Sequence, residues 1–317
     1  GGHGGGADLM LRGRRDEPTL KYPDLGAVVA KELGRMDSQV PDYVNFYTST
    51  EGRGSAKTTP GFLSARYGAI NLYDGKKLSL PNIEKLNSIT KGDHEARADL
   101  RNFLSSRFDQ GRGLASVKSH AAAYARVHGL MGCEKLFDIS DEPQYIQDMY
   151  GPTQFAEQTI MARRMVEAGV PFVRVSRAWW DSHGQNFETH LEMVPELDRV
   201  LSALIDDLKQ RGMLEDTLVV TMGEFGRTPK INGSLGRDHF ATAWSASLHG
   251  GRTVPGAVYG KTDAKGERVV EGEIGAGEMF ATILEAAGID HKREYHVGAR
   301  PIPLVNPGIK PVSELIA

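Results

Sequence analysis

The spacing of hydrophobic residues changes several times along the chain, and each change predicts an element. Thr217-Leu218-Val219-Val220-Thr221-Met222 is an apolar, β-branched run between polar neighbours, which predicts a buried parallel strand ending at Gly223. Residues 171–176 predict a second strand. Between the two, Val194, Leu197, Leu201, Leu204, Ile205 and Leu208 recur at helical spacing, so residues 190–211 read as an amphipathic helix with those side chains inward and Gly212 as its stop. Upstream, Thr153 is placed to cap a helix reaching Gly169, with Arg163 and Arg164 near its carboxyl end, where cations suit the helix dipole. Residues 153–222 thus contain a βαβ unit, which implies a right-handed crossover and puts both strand ends on one sheet edge.

The remaining pattern is less regular. Positions 25, 28, 29 and 33 share a helical face that Gly34 ends, and residues 41–47 form a short strand. Residues 52–61 read as a loop, and 68–93 as irregular with a short strand near Ile70. Helices are expected over 95–108 and 114–130; the second carries His120 and His128, read as surface or half-buried histidines rather than ligands. Residues 137–140 and 150–152 read as connectors. Strands are expected over 243–248 and 256–260, a tight turn over 262–266, and a helix over 278–287 ended by Gly288. The tail with Pro301, Pro303, Pro307 and Pro311 reads as surface-packed or loose. Residues 8–14 look like the end of a helix with a glycine stop. No repeat or linker divides the chain, so residues 1–317 are expected to form a single α/β domain.

Composition narrows the function classes. Hydrophobic residues make up 40% and charged residues 25% of the 317, which is globular rather than disordered. A net charge of −3 supplies no basic field for nucleic acid. One cysteine, Cys133, excludes an internal disulfide and a cysteine-cluster metal site, and it reads as a small buried residue. No run approaches the roughly 18 apolar residues of a membrane helix.

The chemistry gathers where the two strands end. Asp181 and His183 follow the first; Glu224, Arg227, Asp238 and His239 follow the second. In open α/β sheets ligands bind beyond the carboxyl ends of strands. Carboxylates and imidazoles there suit a divalent cation, and the set Asp181, His183, Glu224, Asp238 and His239 does not choose among Zn, Mn, Mg and Ca. Such an ion polarises a phosphoryl or sulfuryl oxygen, or lowers the pKa of bound water. Arg227 could hold a tetrahedral oxyanion in bidentate fashion. His190 reads as a helix-start residue.

Gly223-Glu224-Phe225-Gly226-Arg227-Thr228-Pro229 and Gly236-Arg237-Asp238-His239 resemble the signature of the bacterial family known as domain of unknown function 1501. Residues 162–170, 172–173, 181–187, 207–208, 211–212, 259–263 and 281–283 are similar to it too, so the resemblance spans about residues 22–300. It implies a relation to the alkaline-phosphatase-like superfamily of sulfatases, phosphodiesterases and phosphonate hydrolases. With that come an α/β/α sandwich, a metal site at the strand ends, a small-molecule or glycan ester substrate and an extracytoplasmic location. The sequence departs from the superfamily in two ways. Glu224-Phe225 stands where many members carry Asp-His. Leu11-Arg12-Gly13-Arg14 resembles the sulfatase Leu-Thr-Gly-Arg turn, yet counting back to the nucleophile lands near His3, with no Cys, Ser or Thr there. His3 is then a ligand, a nucleophile or neither; with Arg227 it is carried as a catalytic candidate. The superfamily's first strand and its Asp would lie upstream of Gly1, so an amino-terminally truncated core is expected. The expected function is metal-dependent hydrolysis of sulfate or phosphate esters; the alternative is a degenerate member that binds anions or glycans, or scaffolds an envelope complex.

Overall fold

The computed structural model describes residues 2–35, 38, 40–48, 58–73, 88–110, 124, 129 and 133–317. In chain order these hold α1 (His3–Arg12), α2 (Leu25–Leu33), β1 (Tyr43–Thr48), β2 (Ile70–Tyr73), α3 (Lys91–Asp109), α4 (Glu134–Phe137), α5 (Gln144–Tyr150), α6 (Gln154–Glu167), β3 (Phe172–Arg177) and α7 (Asn186–Gln210). Then come β4 (Val219–Met222), β5 (Gly226–Arg227), β6 (His239–Phe240), β7 (Ala246–His249), β8 (Lys261–Thr262), β9 (Val269–Glu271), α8 (Ala276–Ala286), β10 (Glu294–Val297) and β11 (Arg300–Pro303). The class is mixed α/β, with several small sheets and no barrel.

A parallel sheet of order β2-β1-β3 forms the centre, with Val44 opposite Ile70 on one side and Val173 on the other. Side chains alternate across it. Val44 and Phe46 join Leu72, Val173 and Val175 under Met161 and Met165 of α6. On the opposite face Tyr43 meets Phe172 edge-on at 5.0 Å and covers α2 so closely that Gly26 has no room for a Cβ. Beyond α2 a larger core takes Met10 of α1, Val28 and Val29 of α2, and Phe280 and Leu284 of α8; Phe172, Val220 and Leu248 lean on it half-buried. Helix starts follow their caps: Asp24 accepts from the Ala27 amide at 2.9 Å, and Thr153 from the Ala156 amide at 3.2 Å. Gly13, at φ 68°, ends α1 as expected.

Several expectations are corrected. β4 is not a parallel partner of β3: it pairs antiparallel with β7, and among the described residues the two strands share only the core beneath them. The reason is that the chain leaves Met222 as the outgoing arm of a long hairpin. It crosses a second antiparallel ladder, β5–β6, and returns as β7. The long helix begins at Asn186, and its buried arc is Met193, Val200, Ala203, Asp207 and Leu208, so Val194 is exposed. A polar residue, Asp207, sits on that arc because Arg163 (2.8 Å), Tyr150 (3.1 Å) and Arg211 (2.7 Å) all meet it. Arg163 is accordingly 2% exposed and buried against Glu142 and Asp207, while Arg164 lies in the last turn of α6, where the dipole favours a cation. The connectors at 137–140 and 150–152 contain the ends of α4 and α5. The strand over 256–260 is replaced by the β8–β9 ladder, and the turn between its strands is held by the Glu267 amide donating to Asp263 at 2.8 Å. The proline-rich tail is not loose: β11 pairs with β10, and Leu304, Val305 and Val312 are buried. Prolines fit there because an edge strand needs few donors. Helix α3 forms, and Cys133 is buried as expected. The helix over 114–130, with His120 and His128, lies outside the described residues apart from positions 124 and 129. No described helix is long and apolar enough to cross a membrane.

Candidate metal centre

Three segments meet beyond the ends of β3 and β4. The loop from β3 to α7 brings Asp181 and His183. The outer part of the β4–β7 hairpin brings Glu224, Arg227, Asp238 and His239. The first residue of α1 is His3. All seven predicted residues fall in one cluster centred on Asp181.

One Asp181 oxygen, Oδ1, receives Arg227 Nη1 at 2.6 Å and lies 2.9 Å from His183 Nε2 and 3.0 Å from His239 Nε2. Those two imidazole nitrogens are 3.1 Å apart. The other oxygen, Oδ2, lies 2.9 Å from His3 Nε2, and His3 Nδ1 lies 2.7 Å from Glu224 Oε1. His3, Asp181 and His239 also converge closely enough to share one cation. Glu224 and Asp238, expected as ligands, stand one residue further back. Glu224 backs His3, and Asp238 backs His183, whose Nδ1 is 2.8 Å from Asp238 Oδ1. Arg227, expected to hold an anion, spends its shortest hydrogen bond on Asp181.

Electrostatics follow from these contacts. Burial works to raise the Asp181 carboxyl, but hydrogen bonds from Arg227, His239 and His3 outweigh it and hold the group far below the usual carboxylate range. Asp238 is also lowered, by His183 first and Asn232 next.

The two loops are tied together by backbone. The Arg237 amide donates to Ser182 O at 2.9 Å, and the Asn186 amide to Leu235 O at 2.9 Å. Gly236 lies so close to the His183 carbonyl that any Cβ would overlap it. Among the described residues, the non-glycine positions with positive φ are Trp179 (77°), Gln185 (50°) and Leu235 (58°), and all three lie in these loops. Strained backbone of this kind concentrates at functional sites.

Sequence reasoning missed Asn232. Its Nδ2 donates to Asp238 Oδ1 at 3.1 Å and to His183 O at 3.0 Å, while its Oδ1 accepts the Ser234 and Gly236 amides. An Asn-Gly pair reads only as a turn, so no signal separated it. Phe225, whose ring lies 4.4 Å from His239, stands out in the sequence only as part of the motif over residues 223–229.

A family model described as "Protein of unknown function (DUF1501)" matches residues 1–316. No curated protein matches the chain, and no solved structure does.

Proposed function

The chain belongs to the DUF1501 family, and from the site it builds we propose that it is a metal-dependent hydrolase of sulfate or phosphate esters. The observation that carries this reading is the donor triangle of Asp181 Oδ1, His183 Nε2 and His239 Nε2, with edges of 2.9, 3.0 and 3.1 Å. Ligands about 2.0–2.1 Å from a four-coordinate zinc stand roughly 3.3 Å apart, so the three atoms are already spaced as donors to one small cation. Those three residues would hold it. When bound, the ion would polarise an ester oxygen and acidify a water.

The chain's own groups supply the rest. Asp238 fixes the His183 ring from behind, and Asn232 fixes Asp238; carboxylate–histidine pairs of this kind orient metal ligands. His3 is half exposed and backed by Glu224 at 2.7 Å, so it can take or give a proton at the open side of the cluster. Arg227 stands at the same Asp181 oxygen, where its guanidinium would offer positive charge to an ester's anionic oxygens. The finer architecture in this proposal is an alkaline-phosphatase-like sandwich. It is supported by the parallel β2-β1-β3 order, by helices on both faces and by a cluster beyond the strand ends. An extracytoplasmic location belongs to the same proposal, on the family resemblance alone.

A second reading, a catalytically silent anion- or glycan-binding member, draws on one observation. Arg227 already donates to Asp181 Oδ1 at 2.6 Å, so the central carboxylate has a counter-charge of its own within the protein. Elemental analysis after growth with Zn, Mn, Mg and Ca, beside an Asp181→Ala/His183→Ala variant, separates the two. The hydrolase reading expects one or two equivalents of a divalent ion, lost in the variant, together with ion-dependent turnover of aryl sulfate or aryl phosphate. Wild-type protein without an ion, or with an ion and no turnover of either ester, sinks it in favour of the binding reading.

A further inference from the structure

The polar cluster accounts for the charged end of an ester and leaves open what holds the alcohol portion. An apolar surface begins at the cluster and runs along α7. Trp180 immediately precedes Asp181, and its ring centre lies 5.6 Å from that of His190. At about 100° of turn per residue, Phe187, His190, Leu191 and Val194 fall within roughly 100° of arc, so they share one helix face. Phe187 is 58% exposed, Leu191 77%, and Val194 is exposed as well. Leu235 adjoins them through its carbonyl, which accepts the Asn186 amide, and it is 59% exposed at a φ of 58°. Leu235 is thus held in the left-handed region while more than half exposed, where glycine or asparagine would sit with less strain. Single exposed apolar residues need no explanation, but several on one helix face mark a contact surface, and this one starts beside the polar cluster.

The chemistry of that run selects its occupant. Leucine and valine side chains offer neither hydrogen bonds to sugar hydroxyls nor the flat ring on which a sugar face stacks. The exposed charged neighbours on the same turns, Glu188 and Glu192, are acidic and oppose further sulfate or phosphate groups along a glycan. Resting on the ester-hydrolase reading above, we infer that Phe187, Leu191, Val194 and Leu235 receive an apolar, uncharged alcohol portion. The substrates are then esters of aryl or longer-chain alkyl alcohols rather than polyanionic glycans. The bulky residues after β3 determine specificity, while the Asp181 cluster handles the ester group.

The test uses n-alkylphosphonates from ethyl to octyl, which bind but do not hydrolyse, and the matching alkyl phosphate and sulfate esters. Calorimetry on the wild type is expected to show about two- to fourfold tighter binding per added methylene. The Phe187→Ser/Leu191→Ser variant flattens that dependence and leaves ethylphosphonate affinity unchanged. Leu235→Asn, which the left-handed backbone tolerates, weakens octylphosphonate at least about threefold without loss of stability. Wild-type affinity independent of chain length overturns the inference, as does a double variant that loses ethyl and octyl ligands alike. So does a wild-type dimer in sedimentation that the double variant dissociates, because the strip would then be a face between copies. Chain-length-dependent binding without turnover keeps the strip and removes the hydrolase reading; turnover without chain-length dependence does the reverse.

Discussion

Asn232 carries more of the site than its residue type suggests. It holds Asp238 and the His183 carbonyl with one nitrogen, and two loop amides with its oxygen. On the proposed metal site, replacement by alanine is expected to weaken divalent-ion affinity by up to about 10-fold, the low end for an orienting group, because Asn232 acts on the His183 ring through Asp238. Competition with a chelator measures this, and unchanged affinity would show that Asp238 positions His183 unaided. Gly236 makes a sharper case. Because a Cβ there overlaps the His183 carbonyl, Gly236→Ala should push the two loops apart and abolish ion binding while far-ultraviolet dichroism stays native. At this scale the sequence was informative about charged groups. Asp181, His183, Arg227 and His239 could be named because carboxylates, imidazoles and guanidinium groups crowd the ends of strands. Asn232 could not, because an amide has no chemistry of its own to announce and acts only through what it touches.

Among the elements, α7 shows why a hydrophobic stripe alone misplaces a helix. Apolar residues occupy two neighbouring arcs, and packing against α5 and α6 selects the arc that contains Asp207. The selection is made by a buried ionic network. Arg163 meets Glu142 at 2.7 Å and Asp207 at 2.8 Å, and Arg164 meets Glu142 at 2.6 Å. Arg163 keeps Asp207 at 2.8 Å and Glu167 at 2.9 Å when Glu142 is replaced, so Glu142→Gln should cost about 1–3 kcal/mol in urea denaturation at pH 7. The pH dependence has a definite sign. Burial raises the Glu142 carboxyl, but Arg163 and Arg164 outweigh it and leave the group lowered. Its contribution is therefore fully present above the ordinary glutamate pKa of about 4.3 and is lost as pH falls through its own lower value. The stability difference between wild type and Glu142→Gln should be constant above about pH 5 and shrink in more acid solution. A difference that grows on acidification would refute this account of the network.

On the scale of the molecule, the carboxyl-terminal segment is as structural as the central sheet. Leu304 and Val305 enter the core shared by α1, α2 and α8, and the Val312 amide donates to Thr282 at 2.9 Å. The segment thus closes the side of the fold that carries α1, and with it His3. Leu304→Ala is expected to destabilise the protein by about 2–5 kcal/mol while unfolding remains one cooperative transition by fluorescence and dichroism. A separate early transition would mean that the tail folds as an independent unit.

From the sequence alone came the α/β class, the strands β3 and β4, the helices between and before them, and the charged residues beyond their ends. Each depends on local periodicity, on caps or on residue chemistry, and those act over a few positions. Tertiary structure alone decided that β4 turns back as an antiparallel hairpin with β7 and that α7 rotates to bury Asp207. It also decided that the prolines of the tail lie in a paired strand, and that His3 reaches Asp181 and Glu224 from the far end of the chain. Those outcomes depend on which surfaces and charges meet across large separations in sequence. No periodicity within a single segment encodes that choice, because the groups that decide it, such as Asp207 with Arg163 and Asp181 with His3, lie far apart in sequence.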